Sequence, residues 1–283
     1  MAGQRVLITG PARGIGNRTA RLAASRGARL GLIGLEPARL AALANELGEN
    51  HHWAECDVTD QDSLDDAVAS TVAALGGIDV VVANAGIGGF GRPVAAGPVD
   101  PMIRTIDINL NGVIRTVSAT LPHLIQARGY ALLISSVAAF TAMPGMAAYC
   151  ASKAGVEQFG NVLRLETAHL GVSVGTAHPI WIDTDLVREL SADAPSFAVA
   201  RAKLPWPLSS LVSADACAEA LVRAIERRQR KVYVPRKMAA VQALRTFMLS
   251  SLSDRLTLKV TGGGALVERL HDDARAMARD HVR

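Results

Sequence analysis

Apolar positions along this chain gather into short runs, each followed by a longer stretch with helical spacing. Short, nearly continuous apolar runs are the mark of parallel strands buried on both faces. They predict strands at Arg5 to Thr9, Arg29 to Gly34, His52 to Cys56, Ile78 to Ala83, Ala131 to Ser135, Val172 to Ala177 and Lys231 to Val234. The intervening stretches predict helices at Asn17 to Arg26, Pro37 to Leu47, from Thr59-Asp60 onward, Ala148 to Leu170 and Ala214 to Arg227. Proline opens the second of these, and Thr59-Asp60 suits a helix start. Pro101 to Arg128 is long enough for two helices or one, with Asp107-Ile108-Asn109-Leu110-Asn111-Gly112 as a weak helix-forming interruption. Strand and helix alternating in this way predict an α/β fold, a doubly wound parallel sheet with helices on both faces. No internal repeat or linker divides it.

Chemistry enters at the strand ends. Gly10-Pro11-Ala12-Arg13-Gly14-Ile15-Gly16 lies between the first strand and its helix. Such a turn lets a pyrophosphate approach the backbone and meet the unpaired N–H groups of the helix start, a Rossmann-like arrangement. The second strand ends in Gly34-Leu35-Glu36, so its first following position carries no carboxylate for a ribose 2′-hydroxyl. Arg13 stands where a guanidinium meets a 2′-phosphate. This favours NADP(H), while Glu36 keeps NAD(H) open. Asp57-Val58 follows the third strand, with Asp57 available for adenine contact or for loop hydrogen bonding. Asn84-Ala85-Gly86 closes the fourth, either as small residues under a dinucleotide or as an ordinary turn.

Tyr149 and Lys153 are four positions apart on one predicted helix, which sets a phenol and an ammonium on one face. A neighbouring cation favours the phenolate, so Lys153 is expected to lower the pKa of Tyr149 and poise it for proton transfer. Ser136, at the end of the fifth strand, precedes Tyr149 by thirteen residues.

Composition narrows the alternatives. Of 283 residues, 49% are hydrophobic, enough for a large core, whereas 4% aromatic content argues against a base-stacking surface. Three scattered cysteines suit neither a disulfide framework nor a metal knuckle, and no other residue cluster asks for a metal. No leader pattern or membrane-spanning apolar run is present, so a cytoplasmic protein is expected. The formal net charge of +4 is modest. Six basic residues between Arg227 and Lys237 read as a solvated rim rather than a nucleic-acid site.

Together these residues resemble the short-chain dehydrogenase/reductase family in its single-domain branch, over roughly residues 4 to 235. Thr9-Gly10, Gly14, Ile15 and Gly16 match its cofactor turn, Asp57 its adenine contact, and Asn84-Ala85-Gly86 its sheet-stabilising motif. Asn109, Ser136, Tyr149 and Lys153 match its catalytic tetrad. The resemblance implies hydride exchange between a nicotinamide and a carbonyl or secondary alcohol. Tyr149 is then acid and base, Ser136 holds the substrate oxygen, Lys153 also binds the nicotinamide ribose, and Asn109 places a relay water. Gly10, Arg13, Gly14, Ile15, Gly16, Asp57, Val58, Asn84, Gly86, Tyr149, Lys153, Pro179, Ile182 and Thr184 make up the implied cofactor site. One departure stands out: Ile180 follows Pro179 where the family has glycine, so either the loop runs differently or that glycine did not use its freedom.

The catalytic unit is expected to span residues 1–237, with a substrate lid at about 180–212. The apolar Pro195, Phe197, Pro205, Trp206 and Pro207 of that lid suggest an apolar substrate. Residues 238–283 are expected to extend the fold as two helices, Ala239 to Leu252 and Ala265 to Val282, split by Gly262-Gly263-Gly264. The first could cover the substrate mouth, pack on a second subunit or lie on a membrane. The family's shared helices imply a homodimer or homotetramer acting on a small molecule. A dinucleotide sensor without turnover is the competing reading, opposed by the intact tetrad. A nucleic-acid binder, or an epimerase on a related fold, has less behind it.

Overall fold

The computed structural model describes residues 1–89 and 93–280. Nine strands and thirteen α-helices run in the order β1 Arg5–Thr9, α1 Gly14–Ser25, β2 Arg29–Gly34, α2 Pro37–Leu47, β3 His52–Glu55, α3 Gln61–Leu75, β4 Val80–Ala83, α4 Asp100–Ile106, α5 Gly112–Ala127, β5 Tyr130–Ile134 and α6 Ala147–Thr167 among these described residues. They continue with β6 Ser173–Pro179, β7 Trp181–Asp183, α7 Asp185–Asp193, α8 Pro195–Ala202, β8 Leu211–Ser213, α9 Ala214–Glu226, β9 Lys231–Val234, α10 Met238–Ala243, α11 Arg245–Met248, α12 Ser251–Thr261 and α13 Gly264–Asp280. Seven strands form one parallel sheet in the order β3-β2-β1-β4-β5-β6-β9. The order reverses between β1 and β4, and ligands of such sheets bind beyond the strand ends at that point.

The sheet is buried because successive residues face opposite helical layers. Val6 and Ile8 of β1 pack with Ala20 and Ala23 of α1 and with Leu221, Val222 and Ile225 of α9. Leu7, between them, joins Val81, Val113, Val117, Val156 and Val174 on the other face. Helix α3 starts on Asp60, whose carboxylate accepts from the amides of Asp62 and Ser63.

Several expectations shift. Helix α1 begins at Gly14 rather than Asn17, so the last glycines belong to its first turn. Residues 100–127 form one helical line, interrupted by a π-turn over Asp107–Asn111. A two-strand parallel pair, β7 with β8, was not legible beforehand. The first tail helix breaks into three, because Leu244 and Leu249 leave helical geometry and the Ser250 hydroxyl caps α12 by accepting from the Ser253 amide. Gly262, at φ 106°, ends α12 in the left-handed conformation that glycine takes readily. The second tail helix is α13; Val282, its expected last residue, lies outside the described residues.

The extension packs onto its own chain. Met238 and Val241 meet Val137, Ala139 and Phe140, with Ile180 and Met248 alongside. Leu266 and Leu270 of α13 close over Ala194, Phe197 and Ala200.

Candidate active site

The glycine turn is shaped by a close approach. Gly10 and Gly14 have φ of 64° and 60°, a region that side chains disfavour. A Cβ on Gly16 would stand 2.5 Å from the Gly10 carbonyl oxygen and 2.6 Å from Asn84 Nδ2. Without it, α1 points its free N–H groups at the strand ends, a cradle that fits a pyrophosphate. Asn84 holds the turn: its Nδ2 donates to the Thr9 and Gly10 carbonyls at 2.9 and 3.1 Å. The Thr9 hydroxyl oxygen in turn accepts from the amides of Asn84 and Ala85, both at 2.9 Å. The motif thus ties β4 to β1 at the switch point.

A cleft of about 1150 Å³ opens over these ends. Its walls include Gly10, Arg13, Gly14, Ile15 and Gly16, then Asp57 and Val58, Asn84 and Gly86, and Pro179, Ile182 and Thr184. The same cleft reaches Ser136, Tyr149 and Lys153. Asp57 follows its loop reading in part, since Oδ1 accepts from the Thr59 amide and hydroxyl at 2.9 and 2.8 Å. Arg13 is half exposed, with Glu189 at 3.1 Å and Glu36 at 3.7 Å. Ile180 is absent from the residues with positive φ, and its amide donates to the Val234 carbonyl at 2.9 Å. The loop therefore follows β9 with ordinary backbone and has no need of glycine there.

Lys153 is buried, and its Nζ donates to the Ile134 carbonyl at 3.0 Å. Burial pulls its pKa from 10.5 down to about 8. Its Nζ lies 5.6 Å from the centre of the Tyr149 ring. Tyr149 is hydrogen-bonded to Ser136, yet burial outweighs that bond and pushes the phenol up to about 12. This corrects the expectation of a phenol lowered by its lysine: the same dry surroundings disfavour both charged forms, and the ammonium is directed at a main-chain oxygen. The Ser136 hydroxyl donates to the Pro179 carbonyl at 3.2 Å and accepts from the Ala138 amide at 3.1 Å.

Asn109 is the one tetrad member outside the cleft wall. It is fully buried; Oδ1 accepts from the Ile87 amide at 2.8 Å and Nδ2 donates to the Ile87 carbonyl at 2.9 Å. Its side chain is committed to this segment, so any water it positions must use its main chain. A Cβ on Gly86 would come within 3.0 Å of Asn109 Oδ1 and 3.6 Å of Lys153 Nζ. Gly86 lets the two stand this close.

The substrate end is lined by Met143, Met146, Ile180, Trp181, Leu204 and Leu208, with Met248 and Thr257 from the extension. Of the lid residues singled out in the sequence, Phe197 is core, buried against Trp181 at 5.8 Å between ring centres. Trp206 faces solvent. Sequence reasoning also missed Glu157, one turn beyond Lys153 on α6. It is buried, accepts from Lys231 at 2.7 Å and from Arg245 at 3.1 Å, and lies 3.5 Å from His178 Nε2. Burial alone would raise its pKa; the neighbouring His178 and the hydrogen bond from Lys231 overcome this and hold it at about 2. Lys231 is therefore not part of a solvated rim but an internal partner, identifiable only once α6 and β9 are adjacent.

The short chain dehydrogenase family model matches residues 4–195. A 2-dehydro-3-deoxy-L-rhamnonate dehydrogenase (NAD(+)) of Sphingomonas is 33% identical over 76% of this chain and 86% of its own. The cis-4-hydroxycyclohexanecarboxylate dehydrogenase of Sinomonas cyclohexanicum is 33% identical with the same coverage. A short-chain dehydrogenase/reductase of unknown function from Caenorhabditis elegans, solved with cofactor, superposes with TM-score 0.69 at 26% identity, over 80% of this chain and 89% of that one. With its parallel sheet and cleft, this chain belongs to the short-chain dehydrogenase/reductase family and is an NAD(P)-dependent oxidoreductase.

Proposed function

We propose that the protein reduces an apolar ketone, or oxidises the matching secondary alcohol, with a preference for NADP(H). The observation that carries this reading is the meeting of Ser136, Tyr149 and Lys153 in the cleft that the glycine cradle opens into. The nicotinamide, when bound, supplies or accepts the hydride. Ser136 holds the substrate oxygen, where charge develops. The Tyr149 hydroxyl, protonated in the buried site, gives its proton to that oxygen; in the oxidative direction it takes it back. Lys153 donates to the Ile134 carbonyl near the phenol, and with cofactor bound it would hydrogen-bond the nicotinamide ribose. Asn109 fixes the Ile87 segment and, through its main chain, a relay water to Lys153.

The cradle suits the pyrophosphate by its missing Cβ atoms. Arg13 supports NADP(H), since a 2′-phosphate would replace Glu36 as its partner. Glu36, 3.7 Å from Arg13, supports the second reading, NAD(H) held through a ribose hydroxyl. The thioether and aliphatic lining supports an apolar substrate. Residues 1–237 form the catalytic unit, acting as a cytoplasmic homodimer or homotetramer. Titration with NADPH and NADH, followed by ketones, tests the assignment. Tyr149→Phe should lower turnover at least a thousandfold with cofactor affinity within about twofold. Near-normal turnover would overturn it, and tighter NADH binding would move the preference to Glu36.

A further inference from the structure

Helix α12 faces the wrong way for a helix that merely covers its own protein. Its inward stripe is Ser253, Thr257 and Thr261, buried or half-buried. Leu252, Leu256 and Val260, at the same helical spacing, are in solvent, as is Leu258. Leu244, Phe247 and Leu249 continue the exposed surface across α11. Of eighteen large hydrophobic side chains exposed among the described residues, these seven fall within residues 244–260. Clustering of this kind marks an interaction surface, whereas scattered exposed leucines mark nothing.

The charge around it is mainly basic. Arg236, Lys237, Arg255 and Lys259 stand against Asp254 within residues 236–261, while Arg245 is turned inward onto Glu157. Arg255 and Lys259 occupy the pole of α12 opposite its buried stripe, with the leucines flanking them. Trp206, 73% exposed, stands under Lys237, whose Nζ is 4.0 Å from its ring centre. Tryptophan with lysine suits the boundary between headgroups and acyl chains.

We propose that α10–α12 and Trp206 form a seat for an anionic phospholipid membrane, with the protein lying in the interface plane. Leu252, Leu256, Val260 and Phe247 enter the acyl boundary, and Arg255, Lys259 and Lys237 meet lipid phosphates. None of the described helices is long and apolar enough to cross the membrane, so the attachment is superficial and reversible. A second copy of the chain fits less well, because a two-fold contact would set the same basic side chains against each other. The seat adjoins the cleft: Met248 and Thr257 line it from this segment, and Leu204 and Leu208, on either side of Trp206, line it too. Apolar substrate dissolved in lipid would thereby reach the cleft without crossing water.

The test is sedimentation of the full chain with vesicles of phosphatidylcholine alone and of an equimolar phosphatidylcholine–phosphatidylglycerol mixture. At least tenfold tighter binding to the mixture, weakening as salt rises, is expected. Leu252→Ser with Leu256→Ser should weaken it about tenfold or more, with unchanged circular dichroism, since both positions are already in water. Brominated phosphatidylglycerol should quench wild-type tryptophan fluorescence, and Trp206→Phe should abolish the quenching. Protein left in the supernatant, equal binding to both vesicles, or a self-associated form dispersed by the leucine substitutions without vesicle binding would each overturn the proposal. Vesicle binding needs no turnover, so its outcome is separate from that of the hydride-transfer reading.

Discussion

Replacing Lys153 by methionine should make the cofactor-free protein more stable while removing its activity. Lys153 is 4% exposed, and burial lowers its pKa from 10.5 in the open chain to about 8 in the fold. The unfolded chain therefore binds more protons than the folded one between these values, so this group's contribution to stability rises with pH across that window. Below about 8 the folded state carries the full penalty of charging a buried amine. A displacement of about 2.5 units, at 1.36 kcal/mol each, amounts to roughly 3 kcal/mol. Methionine removes that penalty and also leaves the Ile134 carbonyl without its donor, which costs about 1 kcal/mol. The variant should thus gain about 2 kcal/mol at pH 7, and the gain should shrink to near zero by about pH 10. Urea denaturation of both proteins across this range, without cofactor, measures the difference directly. A variant less stable than wild type at pH 7, or a gain independent of pH, would refute the reasoning.

Arg13→Ala should weaken NADPH binding tenfold to about a hundredfold and leave NADH nearly unchanged, as isothermal titration can show. Gly16→Val should abolish binding of both cofactors, because its side chain would meet the Gly10 carbonyl and Asn84; a variant that still binds would disprove the cradle. Glu157→Ala strands Lys231 and Arg245 and should destabilise by about 3 kcal/mol, with earlier tryptic cleavage near Arg245 as the tail loosens. In wild type, the contribution of Glu157 is present above the open-chain value of 4.5 and is lost as pH falls through about 2, so acid unfolding should begin later than in the variant.

What could be read beforehand was mostly local. The strand–glycine turn–helix unit and the Tyr149–Lys153 spacing depend on residues within one or two turns of each other, and the structure places them where expected. The two-faced parallel sheet followed from apolar runs that only a doubly covered sheet can bury. Relations across the fold were hidden. Phe197 looked like a substrate wall because its cover, Leu266 and Leu270, lies 69 and 73 positions further along the chain. The β7–β8 pair spans the whole lid. The phenol expected to be acidified by Lys153 is raised instead, because spacing reports proximity but not the dryness of the surroundings. The basic run at Arg227 to Lys237 resembled any solvated surface until Glu157 was found beneath Lys231.

The π-turn at Asp107–Asn111 has a consequence for how such chains can diverge in length. One extra residue is accommodated there in an otherwise continuous rod, so the two halves of the rod are phased about 100° apart from what a regular helix would give. Thr105 and Asn109 bury against the 86–89 loop on one side, and Gly112 sits against Val58 on the other. Losing a single residue from this turn would leave a smoother helix, yet every side chain ahead of it would swing to a new azimuth and the loop would lose both contacts. The irregularity works as a ratchet tooth: it fixes the phase of the rod on both sides, so a change of one residue in length cannot slip past it.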